Sequence, residues 1–160
     1  MSHPGDNGFS QINGQNFLKS SPPFAAIGDL DELQAWLSLL ISFFPEEESS
    51  LKRIIETLGG LSGQIAGCVK GEIDKEEIDF LESKAREAEK EAGQIKEFLI
   101  FTKREAALLN ISRTVCRRAE RALVALNQKE TVSPRSLAYL NRLSTLLFWW
   151  AVLASNLEKT

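Results

Sequence analysis

A chain of 160 residues, 43% apolar and 26% charged, has the length and balance of one soluble domain with a core of its own. The net charge of −3 argues against a general nucleic-acid binder, which carries a basic excess. Two cysteines outside any CxxC pair and a single histidine, His3, leave no zinc site and no disulfide framework. No basic stretch precedes an apolar run at the start, so no signal peptide is evident; the expected setting is the cytoplasm, away from membranes.

Residues 1–28 are rich in Gly, Asn, Ser and Pro, with Gly5, Gly8, Gly14, Pro22, Pro23 and Gly28 as breakers, and read as a loop segment. Asp29 then caps a helix to about Phe44, with Glu32 in the capping-box position. Leu30, Leu33, Leu37, Leu40 and Ile41 recur in it at helical spacing, and Pro45 ends it. Ser49 or Ser50 opens a second helix to about Val69. Gly59, Gly60 and Gly63 lie within it, each costing about 1 kcal/mol of helix propensity, which predicts a close approach or a kink. Asp74 starts a third, highly charged helix to about Glu91, with Leu81 on its thin apolar face.

Phe98 to Phe101 form an apolar joint before a fourth helix, Lys103 to Asn127, in which Cys116 reads as packing rather than as a nucleophile. Ser133, with Pro134 in the first position, caps a fifth helix to about Asn156. Its apolar stretch from Leu143 to Ala154 is interrupted by Ser144 and Thr145 and falls short of the roughly 20 residues of a membrane span. It reads as a helix buried on most sides. No strand pattern competes. The predicted fold is all-α, a five-helix bundle in one domain, with 1–28 as an N-terminal segment and 29–160 as the bundle.

The fourth helix carries the sharpest pattern, Arg113-Thr114-Val115-Cys116-Arg117-Arg118-Ala119-Glu120-Arg121. Arg113, Arg117 and Arg121 recur at i, i+4 and i+8 and so lie along one side, with Glu120 beside them. Spacing alone leaves two readings open. One is a polyphosphate site, because the guanidinium fork matches phosphate; the other is a set of surface salt bridges. On the fifth helix Asn141 and Thr145, also four apart, face the same way among leucines, for either a helix–helix hydrogen bond or a ligand contact.

The blocks RTVCRRAERALVAL (113–126) and YLNRLSTLLFWW (139–150) resemble the signature of the cobalamin adenosyltransferases of the propanediol-utilisation type. That family reads close to A-R-T-V-C-R-R-A-E-R and then Y-L-N-R-L-S-D-L-L-F. The family's T-G-D-x-G-x-T loop, its lysine and its G-x-x-D-E-L motif are matched more loosely by Gly5-Asp6-Asn7-Gly8-Phe9-Ser10, Lys19 and Gly28-Asp29-Leu30-Asp31-Glu32-Leu33.

This resemblance implies a homotrimer of helix bundles with active sites between subunits. It implies transfer of the 5′-deoxyadenosyl group of ATP, with Mg²⁺, to the cobalt of a reduced corrinoid, cob(I)alamin, releasing triphosphate. Gly5, Asp6, Gly8, Ser10 and Lys19 would grip the nucleotide together with Arg113, Arg117, Glu120 and Asn141. Arg113, Arg117 and Asp31 would be the catalytic set, Asp31 pairing with Arg113 across a subunit boundary. Phe98, its neighbour Phe101 and Thr145 would face the corrinoid, an aromatic ring covering the side that the lower axial ligand vacates. No protein side chain is expected to bind metal. A reductase or a B12-dependent enzyme is the further partner implied.

Four places depart from the family pattern. Thr145 stands for an Asp, Phe101-Thr102-Lys103 for a frequent Pro-Gly-Gly, His3-Pro4 for a basic residue and Thr before Gly-Asp, and Gln34 for an Asn. They keep an alternative open: a catalytically degraded paralogue that binds corrinoid, ATP or both as a carrier or sensor.

Overall fold

The computed structural model describes residues 3, 5–95 and 98–156. A two-stranded hairpin, β1 (Phe9–Ile12) and β2 (Gln15–Leu18), precedes five helices: α1 (Pro22–Ile41), α2 (Glu48–Ile65), α3 (Lys75–Ala92), α4 (Arg104–Asn127) and α5 (Pro134–Asn156). A single 3-10 turn, Pro45–Glu47, joins α1 to α2. The expected five-helix bundle is therefore present. α4 lies against both α1 and α5, α1 against α2, and α5 against α3. The Arg53 fork, with both nitrogens 2.9 Å from the Glu77 carboxylate, ties α2 to α3.

One apolar stripe per helix builds the core. Leu30, Leu33, Leu37 and Leu40 on α1 are fully buried, as are Leu51, Ile54 and Leu58 on α2 and Leu140, Leu143, Leu146 and Leu147 on α5. Burial of each such side chain stabilises the fold by about 1.5–3 kcal/mol. α5 is long and apolar enough to cross a membrane by length and composition, and half of its most apolar window is buried inside the bundle. Ser133 caps it as expected, its hydroxyl accepting the Arg135 N–H at 3.3 Å.

Three expectations need correction. First, α1 does not start at Asp29. It starts at Pro22, with Ser21 at the N-cap and prolines in the first turn, where a missing N–H costs nothing. The prolines that read as breakers are its opening. Asp29 and Glu32 lie inside the helix and serve another purpose, described below.

Second, the N-terminal segment contains strands. β1 and β2 pair antiparallel, Phe9 opposite Leu18 and Ile12 opposite Gln15. Asn13 and Gly14 between them have φ of 49° and 78°, the positive pair that a tight two-residue hairpin turn requires. Third, α2 stops at Ile65 rather than near Val69. The chain then folds back so that the Cys68 and Val69 N–H groups both donate to the Gly63 carbonyl. A Cβ on Gly63 would stand 2.6 Å from Val69 Cγ2, so of the three α2 glycines this one is required by packing.

Candidate active site

α4 buries Ala106, Leu109, Ser112, Val115, Cys116, Ala119, Leu123 and Leu126. Arg113, Arg117, Arg118 and Arg121 fall outside that stripe and line one open recess of about 330 Å³ with Thr114. They do not share one role. Arg118 turns to α1, where its Nε donates to Asp29 Oδ1 at 3.0 Å and its Nη2 to Glu32. Among the described residues, Arg113, Arg117 and Arg121 form no ion pair. The salt-bridge reading thus holds for Arg118 alone. Among the described residues the other three have no carboxylate at ion-pair distance. Burial first, and the Arg117 guanidinium second, push Arg113 below the ordinary arginine value. Arginine stays charged even so, and a row of this charge and geometry could hold an anion.

A second recess opens beside it, lined by Phe98, Leu99, Ile100, Phe101, Asn110, Arg113 and Phe148. Phe101 is a fixed wall, edge-on to Phe148 at 6.3 Å, and Phe148 in turn meets Trp149 at 5.2 Å. Phe98 is 93% exposed and Ile100 76%, apolar surface that water disfavours and that a planar apolar partner would cover. Arg113 lines both recesses, so the anion row and the aromatic face share a wall.

On α5, Asn141 Nδ2 donates to Glu120 Oε1 at 3.4 Å, while Arg142 donates to Asn141 Oδ1 at 2.9 Å and to Glu82 Oε1 at 2.8 Å. This chain ties α4, α5 and α3 together. It realises the helix–helix hydrogen bond and leaves Asn141 exposed at the surface. Thr145 is exposed and donates to the Asn141 carbonyl at 3.1 Å; it lies outside the lining of the aromatic recess.

The N-terminal loop closes on itself. Lys19 Nζ donates to the Gly5 carbonyl at 2.9 Å and the Lys19 N–H to the Gly8 carbonyl at 2.9 Å. Gly5 has a φ of 96°, and a Cβ there would stand 3.0 Å from Lys19 Nζ. Asp6 accepts the His3 N–H at 2.7 Å. Gly5, Ser10 and Lys19 line one open recess with Asn7, Phe9, Gln11 and Asn16, and no bundle residue contributes to it. Asp31 is exposed on α1 and, among the described residues, accepts from Gln34 alone, at 3.5 Å. Among the described residues, the recess of the N-terminal loop and the arginine–aromatic recesses of the bundle share no lining residue.

Residues 1–154 match the family model for cobalamin adenosyltransferase. The chain belongs to the cobalamin adenosyltransferase family. A cobalamin adenosyltransferase of Cupriavidus metallidurans is 35% identical over 149 residues, 90% of this chain and 81% of that protein. A corrinoid adenosyltransferase of Bacillus subtilis is 31% identical over 154 residues, 90% and 80%. A variant PduO-type ATP:co(I)rrinoid adenosyltransferase from Lactobacillus reuteri, complexed with ATP, shares the fold with a TM-score of 0.88 at 28% identity, over 97% of this chain and 93% of that one. Another variant from the same organism, complexed with cobalamin and ATP, gives a TM-score of 0.84 over 97% and 92%.

Within this adenosyltransferase, Cys116 is fully buried and its Sγ lies 3.3 Å from the Leu140 carbonyl, which accepts its proton. Burial holds its thiol well above the ordinary range, so it packs and does not attack. Among the described residues no three His, Cys, Asp or Glu side chains gather into a metal site. Sequence reasoning missed Asn110, which accepts from Arg113 Nε at 2.9 Å. Its signal was available, since it stands one turn before Arg113 at i−3. Arg142, which stands out in the sequence as part of the polar interruption of the last helix, is the hub of the α3–α5 network.

Proposed function

We propose that the chain transfers the 5′-deoxyadenosyl group of ATP to the cobalt of a reduced corrinoid. The observation that carries this is the shared wall: Arg113 stands between an unneutralised arginine row and an exposed aromatic recess, one suited to a polyphosphate and the other to a large planar partner. Cobalt(I) of the substrate supplies the electron pair. The Co–C5′ bond forms, the C5′–O bond breaks, and its electrons leave on triphosphate. The protein then needs no nucleophile or strong base; its task is orientation and stabilisation of the leaving charge.

In this reading Arg113 and Arg117 bind the triphosphate as it leaves, with Glu120 and Asn141 at the edge of the nucleotide site. Gly5, Asp6, Gly8, Ser10 and Lys19 hold the nucleotide from a neighbouring subunit, and Asp31 of one subunit pairs with Arg113 of the next in a homotrimer. The separation of the two half-sites within one chain supports that assembly. Mg²⁺ enters with the nucleotide as its counter-ion. Phe98, free of core contacts, covers the vacated axial face of the corrinoid, and Phe101 forms the wall behind it. A reductase that delivers cobalt(I), or an enzyme that uses the product, is the partner this chemistry calls for, and the cytoplasm the setting.

The test is an anaerobic assay with purified protein, chemically reduced cob(I)alamin and Mg-ATP, followed by the absorbance of adenosylcobalamin. Product above the protein-free control is expected. Arg117→Ala should lower turnover at least a hundredfold, as loss of a donor to a developing charge does, with helix content unchanged by circular dichroism. Undiminished turnover in that variant would remove the assignment of Arg117. One observation favours a second reading, a carrier or sensor: Thr145 offers a hydroxyl already donated to a carbonyl, where the family pattern has a carboxylate. Binding of ATP and corrinoid without product would establish that reading, and Thr145→Asp would then be the variant to assay.

A further inference from the structure

The Asn141 amide stands between two side chains that can bond it in only one way. Arg142 Nη1 lies 2.9 Å from Asn141 Oδ1, and a guanidinium only donates. Glu120 Oε1 lies 3.4 Å from Asn141 Nδ2, and an ionised carboxylate only accepts. Reversing the amide would set its NH₂ against the guanidinium and its oxygen against the carboxylate. Both bonds would be lost together. The oxygen of Asn141 is therefore fixed toward Arg142 and the nitrogen toward Glu120.

Arg142 is itself fixed. Its Nε donates to Glu82 Oε1 on α3 at 2.8 Å, and Arg86 Nη2 donates to the other oxygen of that carboxylate at 2.9 Å. The bond from Arg142 is the first cause that holds the Glu82 carboxyl below its ordinary value. Arg142 and Glu82 are partly buried, whereas Asn141 is exposed. The chain of bonds is thus anchored against the bundle and ends at the surface, at Glu120, one turn along α4 from Arg117. Of the two N–H groups of the amide, one is spent on Glu120 and one is left. An amide whose rotation is settled in advance spares a ligand that part of the ordering cost.

We infer that Arg142 is a positioning residue of the nucleotide site: its bond to Oδ1 turns the Asn141 amide so that an N–H, beside the second oxygen of Glu120, is offered to the nucleotide. That the ligand is a nucleotide rests on the adenosyl-transfer reading. Two variants remove the same tie to α3 and differ at Asn141. Arg142→Met keeps the apolar stem, leaves Glu82 with Arg86 as its partner and frees the amide. Glu82→Ala leaves the Arg142–Asn141 bond standing.

The experiment measures calorimetric affinity for Mg-ATP without corrinoid, KM for ATP in the adenosylcobalamin assay, and a thermal melt. It compares wild type, Arg142→Met, Glu82→Ala, Asn141→Ala and the double variant of Arg142→Met with Asn141→Ala. Arg142→Met and Asn141→Ala should each weaken ATP about tenfold and raise KM to match, the size of one hydrogen bond. The double variant should be no weaker than Asn141→Ala alone, because the two residues act as one unit. Glu82→Ala should lower the melt as much as Arg142→Met does and keep ATP affinity within about twofold of wild type, as loss of a partly exposed ion pair allows. Equal losses of affinity in Arg142→Met and Glu82→Ala would overturn the inference and mark the network as a structural tie. So would wild-type affinity in Arg142→Met or in Asn141→Ala, or full additivity in the double variant. If wild type binds ATP and makes no adenosylcobalamin, the transfer reading falls by itself, and the ranking of ATP affinities still decides the role of Arg142. Wild type that binds no ATP would overturn both.

Discussion

At the scale of single residues, neighbours of like chemistry part company by what they touch. Phe98 and Phe101 stand three apart in the sequence, yet Phe101 is packed edge-on to Phe148 while Phe98 is almost wholly exposed. Phe101→Ala should therefore lower stability by about 2 kcal/mol, somewhat less than a fully buried ring costs. Phe98→Ala should leave the melt unchanged and lower corrinoid-dependent turnover. Equal melting losses in the two variants would contradict the assignment.

The cysteines divide in the same way, Cys68 exposed and Cys116 buried. A thiol reagent should modify one group per native chain and two in denaturant. Because burial raises the folded-state value of Cys116, its contribution to stability is present below the unfolded thiol value and is lost as pH rises. Denaturant melts from neutral pH upward should show stability falling above about pH 8.5, less steeply in Cys116→Ala.

At the scale of elements, the helices were legible where periodic apolar positions and their end signals agreed. α3, α4 and α5 follow from Asp74, from the run up to Asn127, and from Ser133-Pro134, with ends that differ from the observed ones by a residue or so. The start of α1 is not legible because Pro22 and Pro23, which read as breakers, occupy the one helical turn that tolerates proline. The hairpin is not legible because its strands are only four residues long, and Gly14 of the Asn13-Gly14 turn reads as one more breaker in a loop segment. The arginine row was legible because a helix converts spacing into direction. What each arginine meets was not, because Asp29 and Glu32 reach Arg118 from another helix. That bridge couples α1 to α4. Arg118→Ala should lower stability by about 1 kcal/mol, the range for a partly exposed charged bond. Asp29→Asn should add little on top of it in a double-mutant cycle of urea melts; full additivity would mean that the bridge contributes nothing.

At the scale of the whole molecule, the division of the site makes a prediction that no single chain can satisfy. If Lys19 of one subunit and Arg117 of the next serve the same nucleotide, Lys19→Ala and Arg117→Ala are each inactive alone and complement each other when mixed. In a head-to-tail ring assembled at random from equal amounts, about one quarter of the sites receive both intact halves. Refolding the two variants together and assaying adenosylcobalamin formation checks this. Recovery near a quarter of wild-type activity supports the shared site, and none at all would place each complete site within one chain.

The arginine row has a further consequence, felt before any contact is made. A molecule with net charge −3 repels polyanions at long range, and that repulsion yields near the helix face where Arg113, Arg117 and Arg121 outnumber the neighbouring Glu120. Beyond the Debye length, about 10 Å at 0.1 M salt, neither force is felt. Inside it, an approaching nucleotide meets a field with a direction, which turns the phosphate tail inward and leaves the adenosyl end trailing. Ionic strength then acts on the orientation of encounter as well as on its frequency.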